Sequence, residues 1–259
     1  MISYPNVKIN LGLHVLRKRP DGFHDLETLF VACDAFHDTL EITEAPEALP
    51  DGQVDIQIEN CDWDPQKDLT AQAYRLLKAD FPELPPVRIR MVKGSPVGAG
   101  LGGGSADCAF ALRMMSELFS LGLSDQQLAS YAARLGSDCG FFVYNNRMFA
   151  TGRGEILTPF DLDLSPYEIR LAIPEGVHVS TKEAYGGIVP CDARTGLQDI
   201  LRQPVESWKD NLVNDFENTV FAVHPEIAQL KAEMYRQGAV YAAMSGSGSA
   251  VFGLFRKQI

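Results

Sequence analysis

Apolar and polar residues alternate along several short stretches of this chain and recur at helical spacing along others. NVKINLGLHVL (6–16) alternates and predicts a strand, as does QVDIQIEN (53–60). Each is bounded by turn-forming residues, Pro20-Asp21-Gly22 and Pro50-Asp51-Gly52. LTAQAYRLLKADF (69–81) predicts a helix that stops before Pro82, and VRIRMV (87–92) a half-exposed strand. AFALRMMSELF (109–119) continues as a helix, and DQQLASYAARL (125–135) forms another. Ser124 and Gln127 have capping-box spacing at its start, and Gly136 is a natural stop. Phe141 to Tyr144 and Met148 to Ala150 predict a hairpin across Asn145-Asn146.

The second half opens near Thr158-Pro159. It holds a strand in EIRLAIP (168–174), a short helix in TKEAYGGI (181–188), and helices over Trp208 to Val223 and Pro225 to Gln237. The strands YAAMS and AVFGLF flank a Ser245-Gly246-Ser247-Gly248 turn. Strands and helices do not alternate strictly, which predicts an α+β fold and not a doubly wound α/β sheet.

The densest cue lies between the strand at 87–92 and the helix after it. PVGAGLGGGSADC (96–108) holds Gly98, Gly100, Gly102, Gly103 and Gly104. Glycine admits positive φ and lets a ligand come close to the backbone. A helix starting there aims free N–H groups and its positive dipole end at the loop, which together make an anion site suited to a polyphosphate. No lysine follows the glycines, so the segment is not a Walker A loop. Gly98, Gly100 and Gly103 match G-x-G-x-x-G formally. A dinucleotide fingerprint also needs a buried strand before it and a second strand after the helix, and the pattern here supplies neither.

Composition narrows the remaining classes. The chain has 259 residues, 46% of them hydrophobic, ample for one large or two small domains. A formal net charge of −11 argues against a nucleic-acid partner, whose affinity would come from Lys and Arg on phosphates. Binding an anionic nucleotide then requires local positive charge, for which Lys8, the Arg17-Lys18-Arg19 cluster and Lys93 are candidates; screening over ~8 Å softens the bulk repulsion. The five cysteines, Cys33, Cys61, Cys108, Cys139 and Cys191, have no C-x-x-C pair and read as reduced cytosolic thiols. The five histidines are scattered, so no protein-held metal is expected. MISYPNVKIN lacks a charged stretch followed by a long apolar one and no apolar run reaches membrane length, so the expectation is a cytoplasmic protein without a signal peptide, monomeric or weakly dimeric, without a membrane partner.

Three segments in order resemble the GHMP kinase superfamily of small-molecule kinases: PNVKINLGLHV (5–15), the glycine loop, and AAMSGSGSAVFGLF (242–255). The resemblance implies two lobes with the active site in the cleft between them, and boundaries of 1–157 for an ATP-binding lobe and 158–259 for a second lobe. It implies that Pro96, Val97, Gly98, Ala99, Gly100, Leu101, Gly102, Gly103, Gly104, Ser105 and Ala106 bind ATP. By itself Lys8 reads as a solvated strand lysine. The resemblance makes it the catalytic lysine of P-x-x-K-[IL]-N-L, holding positive charge near the γ-phosphate and the acceptor hydroxyl. Asp138 in LGSDCGFF reads as a turn cap on its own. The resemblance makes it the catalytic aspartate of G-x-D-[VI]-P-F, with Cys139-Gly140 in place of Val-Pro. If the two lie close, the lysine keeps the carboxylate ionised, and a loose transition state makes its weak basicity unimportant. Ser105 reads as the N-cap of the helix, and its oxygen is also a candidate for the phosphates or the magnesium shell. Mg2+ is expected to be held mainly by ATP and water. The Ser245–Gly248 turn is either a plain hairpin turn or a further set of N–H donors.

The acceptor is written in PDGFHDLETLF (20–30), which resembles the R-x-D-G-Y-H-x-[LI]-x-[TS] segment of the superfamily branch whose substrate is a CDP-linked methylerythritol. TGRGE (151–155) and NDFE (214–217) fit that branch too. The resemblance implies ATP-dependent phosphorylation of a tertiary alcohol, the 2-hydroxyl of that unit, in the non-mevalonate route to isoprenoid precursors. It implies that Phe23 stacks on the cytosine, where the family's usual Tyr has lost its hydroxyl, and that His24 hydrogen-bonds the base. Tyr185, with Thr181 in TKEAY, would close the other face, each stacked ring contributing on the order of 1 kcal/mol. Lys93 is a candidate for the cytosine side or the diphosphate, and Asn10 for the erythritol end. The family's N-L-[IVA]-x-[KR]-A reads D-L-T-A-Q-A, so Asp68 replaces an asparagine of the adenine end; a carboxylate only accepts where an amide also donates.

Three rivals are weighed against this reading. Another kinase of the superfamily conflicts with the DGFH segment, a regulator that binds nucleotide without catalysis conflicts with the presence of both Lys8 and Asp138, and an RNA-binding module conflicts with the charge.

Overall fold

The computed structural model describes residues 1–46, 49–50 and 53–257, so Asp51 and Gly52 of the second expected turn lie outside the described residues. In chain order the elements are β1 (Ile2–Ser3), β2 (Asn6–Lys18), β3 (His24–His37), β4 (Thr39–Glu44), β5 (Asp55–Glu59), α1 (Leu69–Asp80), β6 (Val87–Val92), α2 (Gly103–Leu118), α3 (Asp125–Leu135) and α4 (Cys139–Tyr144). They continue with β7 (Met148–Thr151), β8 (Ile156–Pro159), β9 (Tyr167–Ala172), α5 (Thr181–Gly186), α6 (Leu197–Leu201), α7 (Trp208–Asn211), α8 (Phe216–Val223), α9 (Pro225–Arg236), β10 (Tyr241–Met244) and β11 (Val251–Arg256). The mixture is α+β, as the pattern predicts.

The chain divides into two compact units that interleave in sequence. The first comprises Met1–Val7, Phe36–Val97 and Gly102–Asn145; the second comprises Lys8–Ala35, Gly98–Leu101 and the chain from Asn146 onward. The boundary expected at 157/158 is a single cut, whereas segments 8–35 and 98–101 precede it in sequence and belong to the second unit.

In the first unit a sheet runs in the order β1-β4-β6-β5. β6 pairs antiparallel with β4 and parallel with β5, and α1 makes the crossover that a parallel pair requires. The alternation in VRIRMV does what it predicts: Val87, Ile89 and Met91 are buried, while Arg88 and Arg90 reach across the ladder to Asp55 at 2.6 and 2.9 Å. Asp68 caps α1 through the Thr70 amide at 2.9 Å, and Ser124 with Gln127 closes the expected capping box on α3. The hairpin expected across Asn145-Asn146 does not form. Residues Cys139–Tyr144 are a short helix, ended by Asn145 in the left-handed region at φ 47. A four-residue apolar run such as FFVY fits either period, and burial of Phe141, Phe142 and Val143 within the helical layer decides it.

The second unit has two sheets, β2-β3-β7-β8 and β10-β11-β9. Packed beside them is a core of Leu13, Val15, Phe216, Val220, Ile227, Met244 and Val251. The helix expected over Trp208 to Val223 is interrupted. Residues 212–215 leave the helix because they meet β2, the Leu13 amide donating to Val213 O and the Asp215 amide to Leu13 O, each at 2.9 Å; Leu212 is extended and Asp215 is already back in the helical region. Backbone pairing to a buried strand outweighs helix propensity there. The β10–β11 hairpin forms as predicted, and its turn lies against segment 98–101 of the same unit. The Ala250 amide donates to Ala99 O at 3.1 Å, and Ser245 Oγ donates to Gly100 O at 3.0 Å. Gly100 has φ 76, and a Cβ there would overlap the Ser245 carbonyl oxygen. Both conditions select glycine.

His14 on β2 is buried with neither ring nitrogen hydrogen-bonded within the protein. Burial, with help from Arg194, pushes its pKa from the ordinary 6.5 down to about 4.

Two outcomes follow. Gly100→Ala lowers unfolding stability by at least about 2 kcal/mol through backbone strain and overlap. Gly104→Ala, in open space inside α2, is neutral or gains up to about 1 kcal/mol; urea unfolding compares the two. Above pH 6.5 His14 is neutral folded and unfolded and contributes no pH dependence. As the pH falls from 6.5 toward 4, only the unfolded chain takes up its proton, so stability falls through that window. His14→Leu therefore flattens the stability profile there, and identical profiles for the two proteins would refute the assignment.

Candidate active site

Within the second unit, β2 carries Lys8 into contact with both glycine segments. The side chain is not solvated, as a lone strand lysine would be: Lys8 is only 3% exposed. Its ammonium donates to Asn10 Oδ1 at 2.5 Å and to Gly100 O at 3.0 Å, and lies 5.2 Å from the Phe30 ring centroid. Its amide donates to Leu101 O at 2.9 Å, so the backbone of β2 also holds segment 98–101. A Cβ on Gly246 would sit 3.2 Å from Gly100 O, 3.3 Å from Asn10 Oδ1 and 3.4 Å from Lys8 Nζ. The second glycine turn is therefore part of the lysine's surroundings and not a remote hairpin.

Asn10 is oriented by its other end. Its amide nitrogen donates to Thr28 Oγ1 at 2.9 Å, and Thr28 donates on to Gly12 O at 2.6 Å, which leaves Asn10 Oδ1 facing the ammonium. Asn214 fixes the turn from below, donating to both Met244 O and Gly246 O at 2.8 Å. Thr28 and Asn214 carry the geometry, but neither has a sequence period of its own; only their places in LETLF and NDFE mark them.

The aromatic residues expected around a base also fall in this unit. Phe23 is 54% exposed, and the Arg153 guanidinium lies 4.9 Å from its ring centroid. His24 and Tyr185 stack on each other, with centroids 4.7 Å apart and planes 22° from parallel, and Tyr185 meets Phe216 edge-on. Two rings at that distance leave no room for a third between them, so one face of Tyr185 is already covered by His24. Burial, then Lys18, lowers the His24 pKa. A neutral imidazole offers one donor and one acceptor. Thr181 is exposed at the first position of α5, which Ser180 caps. Two members of the cationic cluster are paired with acids: Arg17 with Asp25 at 2.5 Å, and Arg19 with Asp25 at 2.8 Å and Asp21 at 3.0 Å.

The glycine loop is split between the units. Pro96 and Val97 end one segment of the first unit, Gly98 to Leu101 belong to the second, and Gly102 to Ala106 return to the first. Gly98, Gly100 and Gly102 have φ of 68, 76 and 75, the left-handed values that a tight loop asks of glycine. Gly102, not Ser105, is the N-cap of α2. The correction has a simple cause: glycine at positive φ starts the helix earlier than a serine cap would, and Ser105 is left inside the first turn. The first-turn amides of α2 keep their anion-binding character. Asp138 is the N-cap residue of α4, and its side chain makes no capping bond.

Lys93 departs most from expectation. It is 6% exposed, and its ammonium is held by Asp38 and by Asp107, the latter at 2.5 Å. A cation committed to two buried carboxylates is not offered to a cytosine or a diphosphate. Among the described residues no group of three His, Cys, Asp or Glu side chains is gathered in a way that could hold a metal.

Known proteins resemble this chain along its length. Residues 68–146 match the model of the GHMP kinases N terminal domain, and residues 197–258 that of the GHMP kinases C terminal domain. A 4-diphosphocytidyl-2-C-methyl-D-erythritol kinase from Bacteroides thetaiotaomicron is 48% identical over 258 residues, 100% of this chain and 93% of that protein. The enzyme of the same name from Cytophaga hutchinsonii is 47% identical, covering 98% of this chain and 92% of its own length. A crystal structure of 4-(cytidine 5'-diphospho)-2C-methyl-D-erythritol kinase superposes with a TM-score of 0.79 at 31% identity, covering 98% of this chain and 90% of that one. The Methanococcus jannaschii mevalonate kinase shares the fold alone, at a TM-score of 0.70 and 12% identity over 99% of this chain and 90% of its own. Identity of this order along the whole chain, on the same fold, means that the chain belongs to the 4-diphosphocytidyl-2-C-methyl-D-erythritol kinase family of the GHMP kinases.

Proposed function

We propose that this chain transfers the γ-phosphoryl group of ATP to the tertiary 2-hydroxyl of 4-diphosphocytidyl-2-C-methyl-D-erythritol. The observation that carries the reading furthest is the buried Lys8 ammonium, held beside the Gly100 carbonyl, Asn10 and Gly246. Such a charge, largely stripped of water, acts strongly on a developing negative charge. The positive-φ glycines and the first-turn amides of α2 supply neutral donors for the phosphate chain, which accounts for a nucleotide loop without its own lysine.

Phosphoryl transfer through a loose transition state asks for placement and charge more than for a strong base. Lys8 would neutralise charge on the γ-phosphoryl oxygens. Asp138 would orient the hydroxyl and accept its proton late, the role that the family motif assigns to it. Magnesium would arrive with ATP and supply neutralising charge on the phosphates, with the Ser105 hydroxyl a candidate for its surroundings. Asn10, with its nitrogen committed to Thr28, would present only its oxygen, so it would accept from a hydroxyl of the erythritol unit.

The cytidine end is supported by Phe23 and His24. The exposed face of Phe23 suits stacking, and a neutral His24 matches the mixed donor and acceptor edge of cytosine. Tyr185 would reach the base only if His24 moved from its face; otherwise it serves as the support that holds His24 in place.

A phosphoryl-transfer assay with the CDP-linked methylerythritol and with free methylerythritol tests the reading. Only the linked alcohol should turn over well, and equal rates would remove the cytosine site while leaving a kinase. Lys8→Met and Asp138→Asn should each lower kcat by roughly 100-fold or more with folding intact, the range expected when a charge acting on the transition state is lost. ATP binding without turnover of any alcohol would make the chain a regulator instead.

A further inference from the structure

Lys93, Asp38 and Asp107 lie in the first unit and are nearly sealed from solvent, with side-chain exposures of 3%, 1% and 1%. Three buried ionisable groups in contact are costly to assemble, and removing one leaves the others without their partner in a site closed to water. What they connect gives the cluster its meaning. Asp38 stands at the junction of β3 and β4, and its Oδ1 accepts from the amides of Gly94 and Ser95 at 2.7 Å each. Its Oδ2 accepts from Ser95 Oγ at 2.7 Å and from the Lys93 ammonium. Lys93 then reaches Asp107 Oδ2, on the second turn of α2.

Ser95 carries the connection one step further. A Cβ on Gly103 would overlap Ser95 Oγ, so the first residue of α2 rests directly on a hydroxyl that Asp38 holds. The root of the glycine loop at Gly94 and Ser95, the start of α2 at Gly103 and its next turn at Asp107 are thus joined to one point between two strands. Burial pushes Asp107 up to about 8, against the opposing pull of Lys93 and with a smaller push from Asp38, so near neutral pH Asp107 shares the proton-rich side of the cluster with Lys93 while Asp38 carries the negative charge.

We propose that Lys93, with Asp38 and Asp107, is a positioning cluster for ATP: it touches neither substrate and fixes the first turn of α2, whose amides meet the phosphates. The proposal rests on the reading of the glycine loop as the ATP site. A helix start used as an anion site must hold its N–H groups to within about 0.5 Å, and a rigid charged anchor behind it meets that demand.

The test is steady-state kinetics and binding on the full chain. Lys93→Met is expected to raise the KM for ATP about 10-fold or more, with kcat at saturating ATP within about 3-fold and the KM for the alcohol unchanged. Inorganic tripolyphosphate, as a competitor, should weaken by the same factor as ATP, because the defect lies where the phosphates bind. Weakening of ATP alone would mean that Lys93 acts on the nucleobase and would overturn the proposal, as would a folded variant with unaltered KM. Should Lys93→Met not fold, Asp107→Ala and Asp107→Asn carry the same test. The amide oxygen still accepts from Lys93, so Asn should bind ATP within about 3-fold of the parent while Ala loses about 10-fold; equal behaviour of the two would refute the cluster's role. A parent protein that binds neither ATP nor tripolyphosphate would instead refute the loop reading itself.

Discussion

Two turns can cross at van der Waals distance only where neither has a side chain in the way, and at Gly100 the neighbour is the Ser245 carbonyl itself. The Gly100 carbonyl, turned by its positive φ, accepts from both Ser245 Oγ and the Lys8 ammonium. The lysine, its amide partner and the second glycine turn are arranged around that shared oxygen. β2 runs beside it and delivers the lysine, Asn10 is held by Thr28 so that its oxygen completes the cradle, and Asn214 ties the β10–β11 turn in place. A charge so thoroughly partnered is desolvated without being mobile, which is the condition under which electrostatics act strongly.

The first unit handles charge differently. There the buried cation is surrounded by carboxylates, and the anion-binding capacity is left to backbone amides at the start of α2. The acidic balance of the chain is consistent with both arrangements. With a net charge of −11, a solvent-facing basic patch would compete with many neighbouring acids, as the paired Arg17 and Arg19 illustrate. Enclosing Lys8 and Lys93 and leaving the rest to dipoles confines the electrostatic attraction to short range.

Much of this was legible in the residues. Strong periodic segments, such as VRIRMV and DQQLASYAARL with its capping box, formed where the pattern put them, because local propensity and burial agree there. The glycine segments announced themselves by composition, and their positive φ values bear out the need for glycine. Three features were not legible, each for a physical reason. The short apolar run at Phe141–Tyr144 carries no usable period, so packing alone made it helical. The break at 212–215 depends on pairing with Leu13, some two hundred residues away, which no local window contains. The burial of Lys93 depends on Asp38 and Asp107, neither of which stands in a motif with it.

The interleaving of the units bears on how the chain acquires its structure during synthesis. Thr28 of β3 pairs with Ala150 of β7, so the hairpin of β2 and β3 leaves the ribosome long before its sheet partner exists. The first unit, by contrast, holds all of its segments once Asn145 has emerged. Non-local pairings form late because loop closure must precede them. All segments of the first unit are therefore made while the apolar β2–β3 pair still lacks β7, an interval in which an unpaired strand edge is open to mispairing.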